Sequence, residues 1–519
     1  MRRVFAAESV RRSHNLLPDT PLTAFTMTPD IDQFLRECKE YNVVPVTRHL
    51  LADLHTPVSL LQRFYQGQEG TFLLESSEGG EKWGRYTFLG IDPHASIEIG
   101  LDSVQIVQYG MSGVTDSNVS EPHHGEPLDV LRTLIAAYKP ARRAELPRFF
   151  GGLVGYFAYE MVSFFENIPN RLEGEPYGSF VIPGTLLILD NVKQLLTICV
   201  LTFPDPKHPA EHRTLYGQAV EKAEKIVQKL AEPLAAAQPQ EETGLMLTPV
   251  ISEQEYRKRV LSVKDHIAAG DIIQCVISQP FVSEKAPDAV SMYRALRFAN
   301  PAPYLFFMHL SGTVLAGSSP ETMVRLEGRT ATLRPIAGTR KRGSNEQRDR
   351  ELADEMLRDP KEKAEHLMLV DLGRNDLGRV AKTGTVQVTN LMFIERYSHV
   401  MHLVSNVTAE LEDGFDGFDL FRAAFPAGTL SGAPKIRAMQ IIAQQETVPR
   451  GPYGGAAGYI AFGGNIDFAI TIRTAKIRNG ILTAQAGGGI VFDSNPELER
   501  KETVNKAMGI ARALELLNP

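Results

Sequence analysis

The sequence has few cysteines, no long apolar segment and no excess of positive charge, and each shortage excludes a class of protein. Its 519 residues contain three cysteines, Cys38, Cys199 and Cys275, which are far apart and lack zinc-ligand spacing. Their apolar surroundings predict buried free thiols in a reducing compartment, the cytoplasm. No apolar run approaches the roughly 18 to 20 residues that span a bilayer, so no membrane association is expected. The net charge of -7 is spread along the chain, which argues against a nucleic-acid partner.

The glycine-rich segments do not have the spacing of nucleotide-binding loops. The segment "GGLVGY" at 151–156 lacks the glycine pattern of a dinucleotide-binding turn. The segment "GTLSGAPK" at 428–435 lacks both the spacing of a phosphate loop and the Ser or Thr that follows it. Neither segment is predicted to bind a nucleotide.

The length of the chain predicts more than one domain. The stretch "AEPLAAAQPQEETG" is rich in Ala, Pro, Gln and Glu and predicts a linker at 233–250. We therefore expect a front domain at 27–232 and a rear domain at 251–519. Residues 1–26 are Arg-rich and lack the apolar core of a secretory signal. They are interpreted as a flexible extension or an alternative translation start before Met27, with a weak transit-like segment as the third alternative.

Both halves alternate short β-rich runs with helical stretches, which is typical of the α+β class. "RYTFLGI" and "GTLLILD" predict strands in the front half, and "GYIAFGGNIDFAITIRTAKIRNGILTAQAGGG" predicts an antiparallel meander in the rear half. Apolar periodicity predicts helices near 126–138, 209–229 and 346–373.

The segment "KEKAEHLMLVDLGRNDLG" places an acid on the apolar face of a predicted helix. Asp359 is suited to cap this helix, and Pro360 is suited to its first position. Glu362 stands where a capping box has its acid. Glu365 lies one turn deeper, on the stripe of Met368, Leu369 and Leu372. A buried ionised carboxylate is costly without a cation or a strong hydrogen-bond donor, so Glu365 requires a partner.

The last predicted helix, opening near Asn495 and Pro496, carries a second pair of acids one turn apart. Glu499 and Glu502 lie beside its apolar stripe. Solvated first-turn glutamates, favoured by the helix dipole, are one interpretation. If the two helices converge, however, the mutual repulsion of their acids demands a cation, and one or two direct carboxylates with waters suit Mg²⁺.

Groups that could hold a carboxylated substrate surround these acids in the sequence. In "DFAITIRTAKI" strand alternation puts Arg473 on one face with Thr471 and Ala475. On that face the Arg473 guanidinium could bind a substrate carboxylate or form an ion pair with an acid of the neighbouring strand. The glycines at 487–489 are interpreted as an anion-binding nest or as a plain turn. Lys506, one turn after Glu502, forms an ion pair or faces the same pocket.

The segments "PIAGTRKRG", "EHLMLVDLGRNDLGRV", "MHLVSNV", "FPAGTLSGAPKIRAM", "GPYGGAAGY" and "AQAGGGIV" resemble those of the chorismate-utilising enzymes, in family order across 252–516. The front half, with "LLES", "RYTFLG" and "GGLVGYFAYE", is similar to the N-terminal domain of anthranilate synthase component I. The resemblance implies a Mg²⁺-dependent enzyme with an antiparallel β-sandwich core, helices packed outside and a site in the rear domain. It also implies a regulatory role for the front domain.

Site residues are implied where this chain matches the family's motifs. Glu365 and Glu502 match the main metal ligands, with Glu362 and Glu499 nearby. Glu321 matches the acid that protonates the departing C4 hydroxyl of chorismate. His402 matches the histidine that is linked to the loss of pyruvate, and Thr429 lies in the adjoining motif. The positions matching the groups that hold the substrate carboxylates are Gly338, Thr339, Tyr453, Arg473, Gly487, Gly488, Gly489 and Lys506.

Two positions indicate which member of the family this chain resembles. Ala337 stands in "PIAGT", where para-aminobenzoate enzymes commonly carry Lys. Gln274 stands where isochorismate and salicylate synthases carry the Lys that activates water. An amide cannot take that proton, whereas ammonia is itself a nucleophile. The resemblance thus implies amination of chorismate at C2 and loss of pyruvate to give anthranilate, the first step of tryptophan biosynthesis.

The resemblance also implies a partner and a regulator. No cysteine lies in the "GxCxG" elbow of a glutamine-hydrolysing nucleophile, so ammonia is expected from a separate amidotransferase subunit, in a heterotetramer of two chains of each kind. A feedback site for tryptophan is implied at Ser76, Pro303, Tyr304 and Leu305. The alternatives are an aminodeoxychorismate synthase component I and, from another class, a catalytically idle tryptophan-sensing subunit.

Overall fold

The computed structural model describes residues 26–76, 84–111, 113–169, 172–234, 244–397 and 400–518. Most of the predicted extension (residues 1–25) and half of the predicted linker (residues 235–243) lie outside the described residues. The division of the chain into two domains at 233–250 stays a prediction.

The strands of the described residues connect into one sheet in which every pairing between them is antiparallel. In the front half they span Val44–Leu51, Thr71–Glu75, Tyr86–Ile99, Ser103–Tyr109, Thr115–Pro122, Gly152–Phe157, Gly178–Asp190 and Leu195–Thr202. In the rear half they span Thr248–Pro249, Gln274–Ser283, Tyr304–Leu310, Thr313–Ser319, Thr322–Glu327, Thr330–Leu333, Ile336–Lys341, Gln387–Arg396, Val400–Glu410, Gly432–Ala433, Ala456–Ala461, Ile466–Ile470, Thr474–Arg478 and Ile481–Ile490.

Helices lie between these strands and pack on the sheet. The α-helices span Ile31–Glu37, Pro57–Phe64, Pro127–Ala136, His212–Ala231, Glu253–Ala268, Ala289–Ala299, Glu346–Arg358, Pro360–Gly378, Gly417–Ala424, Lys435–Gln445 and Pro496–Glu515. Short 3₁₀ helices span Tyr159–Phe164, Pro209–Glu211 and Gly428–Leu430. Two α-helices carry the predicted acids, and we call them the Glu365 helix (Pro360–Gly378) and the C-terminal helix (Pro496–Glu515).

Strand pairing joins the front and rear halves of the chain. The strand Thr71–Glu75 pairs with Tyr304–Leu310, and Gly152–Phe157 pairs with Ala456–Ala461. A shared apolar core accompanies this pairing, since the rings of Phe157 and Phe421 lie 4.4 Å apart and both are buried. Burial of such aromatic side chains is a main stabilising contribution to folding. The predicted α+β class with an antiparallel core is confirmed.

The structure also bears on the exclusions drawn from composition. Cys38, Cys199 and Cys275 are free and buried, as predicted. Among the helices of the described residues, each is too short or too polar to cross a bilayer.

Candidate active site

The Glu365 helix begins as the sequence predicts. The Asp359 side chain caps it by accepting hydrogen bonds from the backbone N–H groups of Lys361 (2.9 Å) and Glu362 (3.3 Å), and Pro360 occupies its first position. The interpretation of Glu362 as a capping-box acid is wrong. Its carboxylate instead accepts a hydrogen bond of 2.9 Å from Arg340 Nη1, because the strand Ile336–Lys341 brings this cation to it.

The C-terminal helix begins at the predicted residues, and its acids have local partners. Asn495 caps it through the N–H groups of its first turn. Glu499 Oε1 accepts a hydrogen bond of 2.7 Å from the Ser494 hydroxyl, and Glu502 forms an ion pair of 2.8 Å with Lys506.

The acids of the two helices converge. Burial raises the pKa of Glu365, and the negative charges of Glu362 and Glu502 raise it further, against the opposing charge of Lys506. Burial likewise raises the pKa of Glu499, and Glu502 adds to this effect. Since Coulomb interactions of this kind fall off with distance, the carboxylates lie in one neighbourhood. This convergence was the condition for the predicted cation site.

The acids of the two helices are oxygen donors of the kind that Mg²⁺ binds. No three His, Cys, Asp or Glu side chains within the described part of the chain are grouped closely enough to hold a metal ion by themselves. Glu362, Glu499 and Glu502 each have a protein partner, namely Arg340, Ser494 and Lys506. Mg²⁺ commonly takes only one or two protein carboxylates and completes its shell with waters and substrate oxygens. Glu365 and Glu502 would supply that number of carboxylates, with the ion taking the place of Lys506 at Glu502, and their assignment as ligands stays a prediction.

The three glycines at 487–489 do not form an anion nest. They lie inside the strand Ile481–Ile490, where they pair with Val276, Ile277 and Ser278 and keep extended backbone geometry. Their importance is steric. A Cβ atom would lie 2.8 Å from the Tyr453 hydroxyl at Gly487, 3.2 Å from Glu499 Oε2 at Gly488 and 2.6 Å from Gln274 Nε2 at Gly489. Because successive residues of a strand point to opposite faces, Tyr453 and Gln274 lie against one face of this bare strand and Glu499 lies against the other.

Arg473 lies at a break between two strands, so the predicted alternation is wrong at this position. The strand Ile466–Ile470 ends before it, the strand Thr474–Arg478 begins after it, and Arg473 itself has φ of +50°. Its half-buried guanidinium has no ion pair with any residue that the structure describes. Burial lowers the pKa of Arg473, against the attraction of Glu321. A cation held in this way is available to an anionic ligand.

Glu321 is a buried acid with a hydroxyl partner. It is 8% exposed, and its Oε1 accepts a hydrogen bond of 2.9 Å from Thr429 Oγ1. Burial raises the pKa of Glu321 to about 7, although Thr429, Arg473 and Lys506 each act to lower it. A carboxyl group that retains its proton near neutral pH can act as a general acid.

His402 is a buried neutral histidine near Arg473. Burial lowers the pKa of His402 to about 4, and Arg473 contributes. Nδ1 lies 3.3 Å from the carbonyl oxygen of Gly338 and 3.0 Å from Thr339 Oγ1. Since a carbonyl can only accept a hydrogen bond, this contact requires the proton on Nδ1 and leaves Nε2 with a free lone pair. His402 is therefore suited to act as a base.

The four residues of the predicted tryptophan site are brought together by strand pairing. Ser76 directly follows the strand Thr71–Glu75, and Leu305 pairs with Glu75. Pro303 precedes this pair, and the hydroxyl of Tyr304 bonds to side chains of the rear half. Tryptophan binding there stays a prediction.

Sequence reasoning missed two residues that support the site. Glu160, in the quoted segment "GGLVGYFAYE", accepts hydrogen bonds from the backbone N–H groups of Arg450 (2.6 Å) and Gly451 (3.0 Å). Arg450 donates in turn to the carbonyl oxygens of Leu430 and Val276. Glu160 and its partners are about 290 residues apart in the chain, so no spacing pattern could have connected them.

Gln274 projects toward Gly489 and is 4% exposed. Its Oε1 atom has no hydrogen-bond partner among the residues that the structure describes. An unpaired buried amide oxygen is costly, so a ligand that donates a hydrogen bond would be favoured there.

Known proteins resemble this chain over most of its length. The family model for chorismate binding enzymes matches residues 73–512. The chain is 43% identical over 498 residues to anthranilate synthase component 1 of Acetivibrio thermocellus, covering 94% of this chain and 98% of that relative. It is also 43% identical to anthranilate synthase component 1 of Pseudomonas aeruginosa, covering 93% and 98%.

Solved structures of related proteins superimpose on this chain. Anthranilate synthase component I of Streptococcus pneumoniae superimposes with a TM-score of 0.69 at 34% identity, covering 89% of this chain and 98% of that chain. The menaquinone-specific isochorismate synthase of Escherichia coli superimposes with a TM-score of 0.65 at 20% identity, covering 93% and 98%. At that identity the second likeness concerns the fold alone.

Proposed function

Because this chain belongs to the chorismate-binding enzymes and, within them, to the anthranilate synthase component I family, we propose that it converts chorismate and ammonia to anthranilate and pyruvate. The observation that carries the proposal is Glu321, a buried carboxyl group with a pKa of about 7 beside Arg473 and Lys506. An acid next to two cations suits a dianionic substrate that must lose a hydroxyl group.

In the first step, ammonia forms a bond to C2 of chorismate, the two ring double bonds move from C1=C2 and C5=C6 to C1=C6 and C4=C5, and the C4–O bond breaks. Glu321 gives its proton to the departing oxygen, which leaves as water, and the new ammonium group loses a proton. Gln274 supports this step, since its unpaired Oε1 can accept an N–H from ammonia but cannot deprotonate water.

In the second step, the C2 proton leaves as the C3–O bond breaks, which makes the ring aromatic and releases enolpyruvate that tautomerises to pyruvate. The Nε2 lone pair of His402 suits it to accept that proton, and the Gly338 carbonyl holds the ring in the required tautomer. The two cations, Arg473 and Lys506, would bind the substrate carboxylates, together with Tyr453 and the backbone near Gly338 and Thr339.

The proposal includes Mg²⁺, a partner and a regulator. Glu365 and Glu502, with Glu362 and Glu499 nearby, would hold Mg²⁺, which when bound neutralises charge on the substrate carboxylates. The name of the relatives, anthranilate synthase component 1, supports a second component, here an amidotransferase that would supply ammonia in a heterotetramer. Tryptophan would bind at Ser76, Pro303, Tyr304 and Leu305 and inhibit by favouring a less active arrangement. We place this activity in the cytoplasm.

A product assay tests the proposed function. Purified chain with chorismate, Mg²⁺ and an ammonium salt should release anthranilate, followed by its fluorescence, and pyruvate in equal amounts. EDTA should stop the reaction, and glutamine should replace ammonium only when the amidotransferase subunit is added. Formation of aminodeoxychorismate, isochorismate or salicylate would assign another reaction of the family. Absence of any product, with tryptophan binding intact, would favour the idle sensing subunit.

The pH dependence of activity tests the role of Glu321. Glu321 must carry its proton, so the active form is present below its pKa and is lost as the pH rises through about 7. At a fixed concentration of free ammonia, kcat/KM for chorismate should fall by about tenfold per pH unit above this value. The Thr429 hydroxyl stabilises the ionised carboxylate, so Thr429→Val should move the fall to higher pH. An unmoved fall in this variant, or no fall above neutral pH, would contradict the assignment.

A further inference from the structure

Glu160 lies in the front half of the chain but binds a turn of the candidate active site. It belongs to the 3₁₀ helix Tyr159–Phe164, which follows the strand Gly152–Phe157. Glu160 is 8% exposed, and its two carboxylate oxygens accept the N–H groups of Arg450 (2.6 Å) and Gly451 (3.0 Å). The backbone N–H of Tyr159 also donates to the carbonyl of Gly451 at 2.7 Å. Three hydrogen bonds thus attach the front half to one turn of the rear half.

That turn presents Tyr453 to the bare glycine strand. Gly451 and Gly454 have φ of +60° and +73°, so the backbone on both sides of Tyr453 is in the left-handed region. The Tyr453 hydroxyl ends where a Cβ atom on Gly487 would lie 2.8 Å away. Because a left-handed turn is not held by a regular ladder of hydrogen bonds, its position depends on external partners such as Glu160.

The side chain of Arg450 connects the same turn to the catalytic acid's surroundings. It bonds to Glu446 at 2.7 and 2.8 Å and lies 4.5 Å from the Tyr159 ring. Its Nη1 donates at 2.6 Å to the carbonyl of Leu430, the residue after Thr429. A shift of the turn would therefore move the Tyr453 side chain and also the backbone next to Thr429.

We propose that Glu160 is a positioning residue of the active site, which fixes the Arg450–Tyr453 turn and so sets the place of the Tyr453 hydroxyl. The proposal rests on the proposed function, in which Tyr453 contacts chorismate. It makes the front half a structural part of the chorismate site, in addition to any regulatory role.

Glu160→Gln is the sharpest test because it preserves shape. Glutamine keeps one acceptor oxygen but turns an NH₂ group toward a backbone N–H, so one donor at Arg450 or Gly451 loses its acceptor. We expect KM for chorismate to rise about fivefold to twentyfold with kcat changed less than about threefold. Glu160→Asp keeps both acceptors on a shorter side chain and should recover part of the loss. It also serves as the test variant if the glutamine variant does not fold.

A double-mutant cycle separates positioning from general stability. If Glu160 acts through Tyr453, adding Glu160→Gln to Tyr453→Phe should raise KM by no more than about twofold beyond Tyr453→Phe alone. Asp190 offers a control away from the turn, because its Oδ1 accepts the backbone N–H groups of Val192 and Lys193 at 3.1 and 3.0 Å while its Oδ2 pairs with Arg85 at 2.9 Å. Asp190→Asn should lower Tm without changing KM. Equal effects of Glu160→Gln in both backgrounds, or a lowered Tm with unchanged KM, would overturn the proposal.

Failure of the proposed function gives a different result from failure of the positioning role. The dissociation constant of chorismate, measured by equilibrium dialysis with Mg²⁺ on the full chain, reports on the turn whichever product forms. If the unaltered chain binds chorismate but makes no anthranilate, the proposed reaction fails while a weaker affinity in Glu160→Gln still supports positioning. If the unaltered chain does not bind chorismate, both proposals fail.

Discussion

Glu321→Gln should lower kcat by about 10²- to 10⁴-fold while leaving the affinity for chorismate within about threefold of its original value. Glutamine has the size of glutamate and can keep the hydrogen bond from Thr429, but it has no proton to give to the C4 oxygen. Without that proton the hydroxyl would have to leave as hydroxide, a far poorer leaving group. The measurement is single-turnover formation of anthranilate, with chorismate binding followed separately by equilibrium dialysis.

The same experiment has an internal control in Thr429→Val. This variant removes the hydrogen-bond partner but keeps the acid, so its kcat should fall much less than that of Glu321→Gln at neutral pH. A Glu321→Gln variant that retains kcat within about tenfold would show that another group protonates the hydroxyl. A large loss of chorismate affinity would instead assign Glu321 to binding.

Glu365→Gln and Glu502→Gln should each raise the Mg²⁺ concentration needed for half-maximal activity by at least about tenfold, and activity at the original Mg²⁺ concentration should fall about 100-fold or more. An amide oxygen carries no net charge and holds a hard divalent cation much less strongly than a carboxylate. Anthranilate formation over a Mg²⁺ titration in the presence of chorismate measures both quantities.

Thermal unfolding provides a second readout that does not depend on catalysis. In EDTA, Glu365→Gln should raise Tm, because burial and the charges of Glu362 and Glu502 destabilise the ionised carboxylate in the folded protein. For the same reason the metal-free chain should lose stability as pH rises above the ordinary pKa of a glutamate. Mg²⁺ should raise the Tm of the unaltered chain more than that of either variant.

Glu497→Gln is the control for both readouts. Glu497 lies in the first turn of the same C-terminal helix, but it pairs with Arg500 at 2.8 Å, outside the acid cluster. The Glu497→Gln variant should have the same Mg²⁺ requirement and the same response to EDTA as the unaltered chain. Equal behaviour of Glu365→Gln and Glu497→Gln would remove the case for a metal between the two helices.

Local features were predictable because each depends on neighbours in the chain. Asp359 with Pro360, and Asn495 with Pro496, mark the starts of the two acid-bearing helices, and the structure places both starts there. A capping side chain and the fixed φ of proline act within one turn, so the pattern alone is sufficient. Runs of β-forming residues likewise indicated strands at "RYTFLGI" and "GTLLILD", where the strands Tyr86–Ile99 and Gly178–Asp190 lie.

The partner of each side chain required the tertiary structure. Glu362 binds Arg340 rather than its own helix, and Arg473 leaves the strand pattern in a left-handed turn. The glycines at 487–489 turned out to clear space for Tyr453, Glu499 and Gln274, which come from three other parts of the chain. Glu160 reaches its turn only because the strands Gly152–Phe157 and Ala456–Ala461 pair.

The sequence alone therefore established the α+β class, the helices that carry the acids, and a family resemblance that the comparisons support. The folded chain added the electrostatics: which acids are buried, which cations stand beside them, and which oxygen remains unpaired. The reason is physical. Helix caps and strand periodicity arise from interactions within a few residues, whereas burial and Coulomb interactions depend on distances between segments that are hundreds of residues apart in the chain.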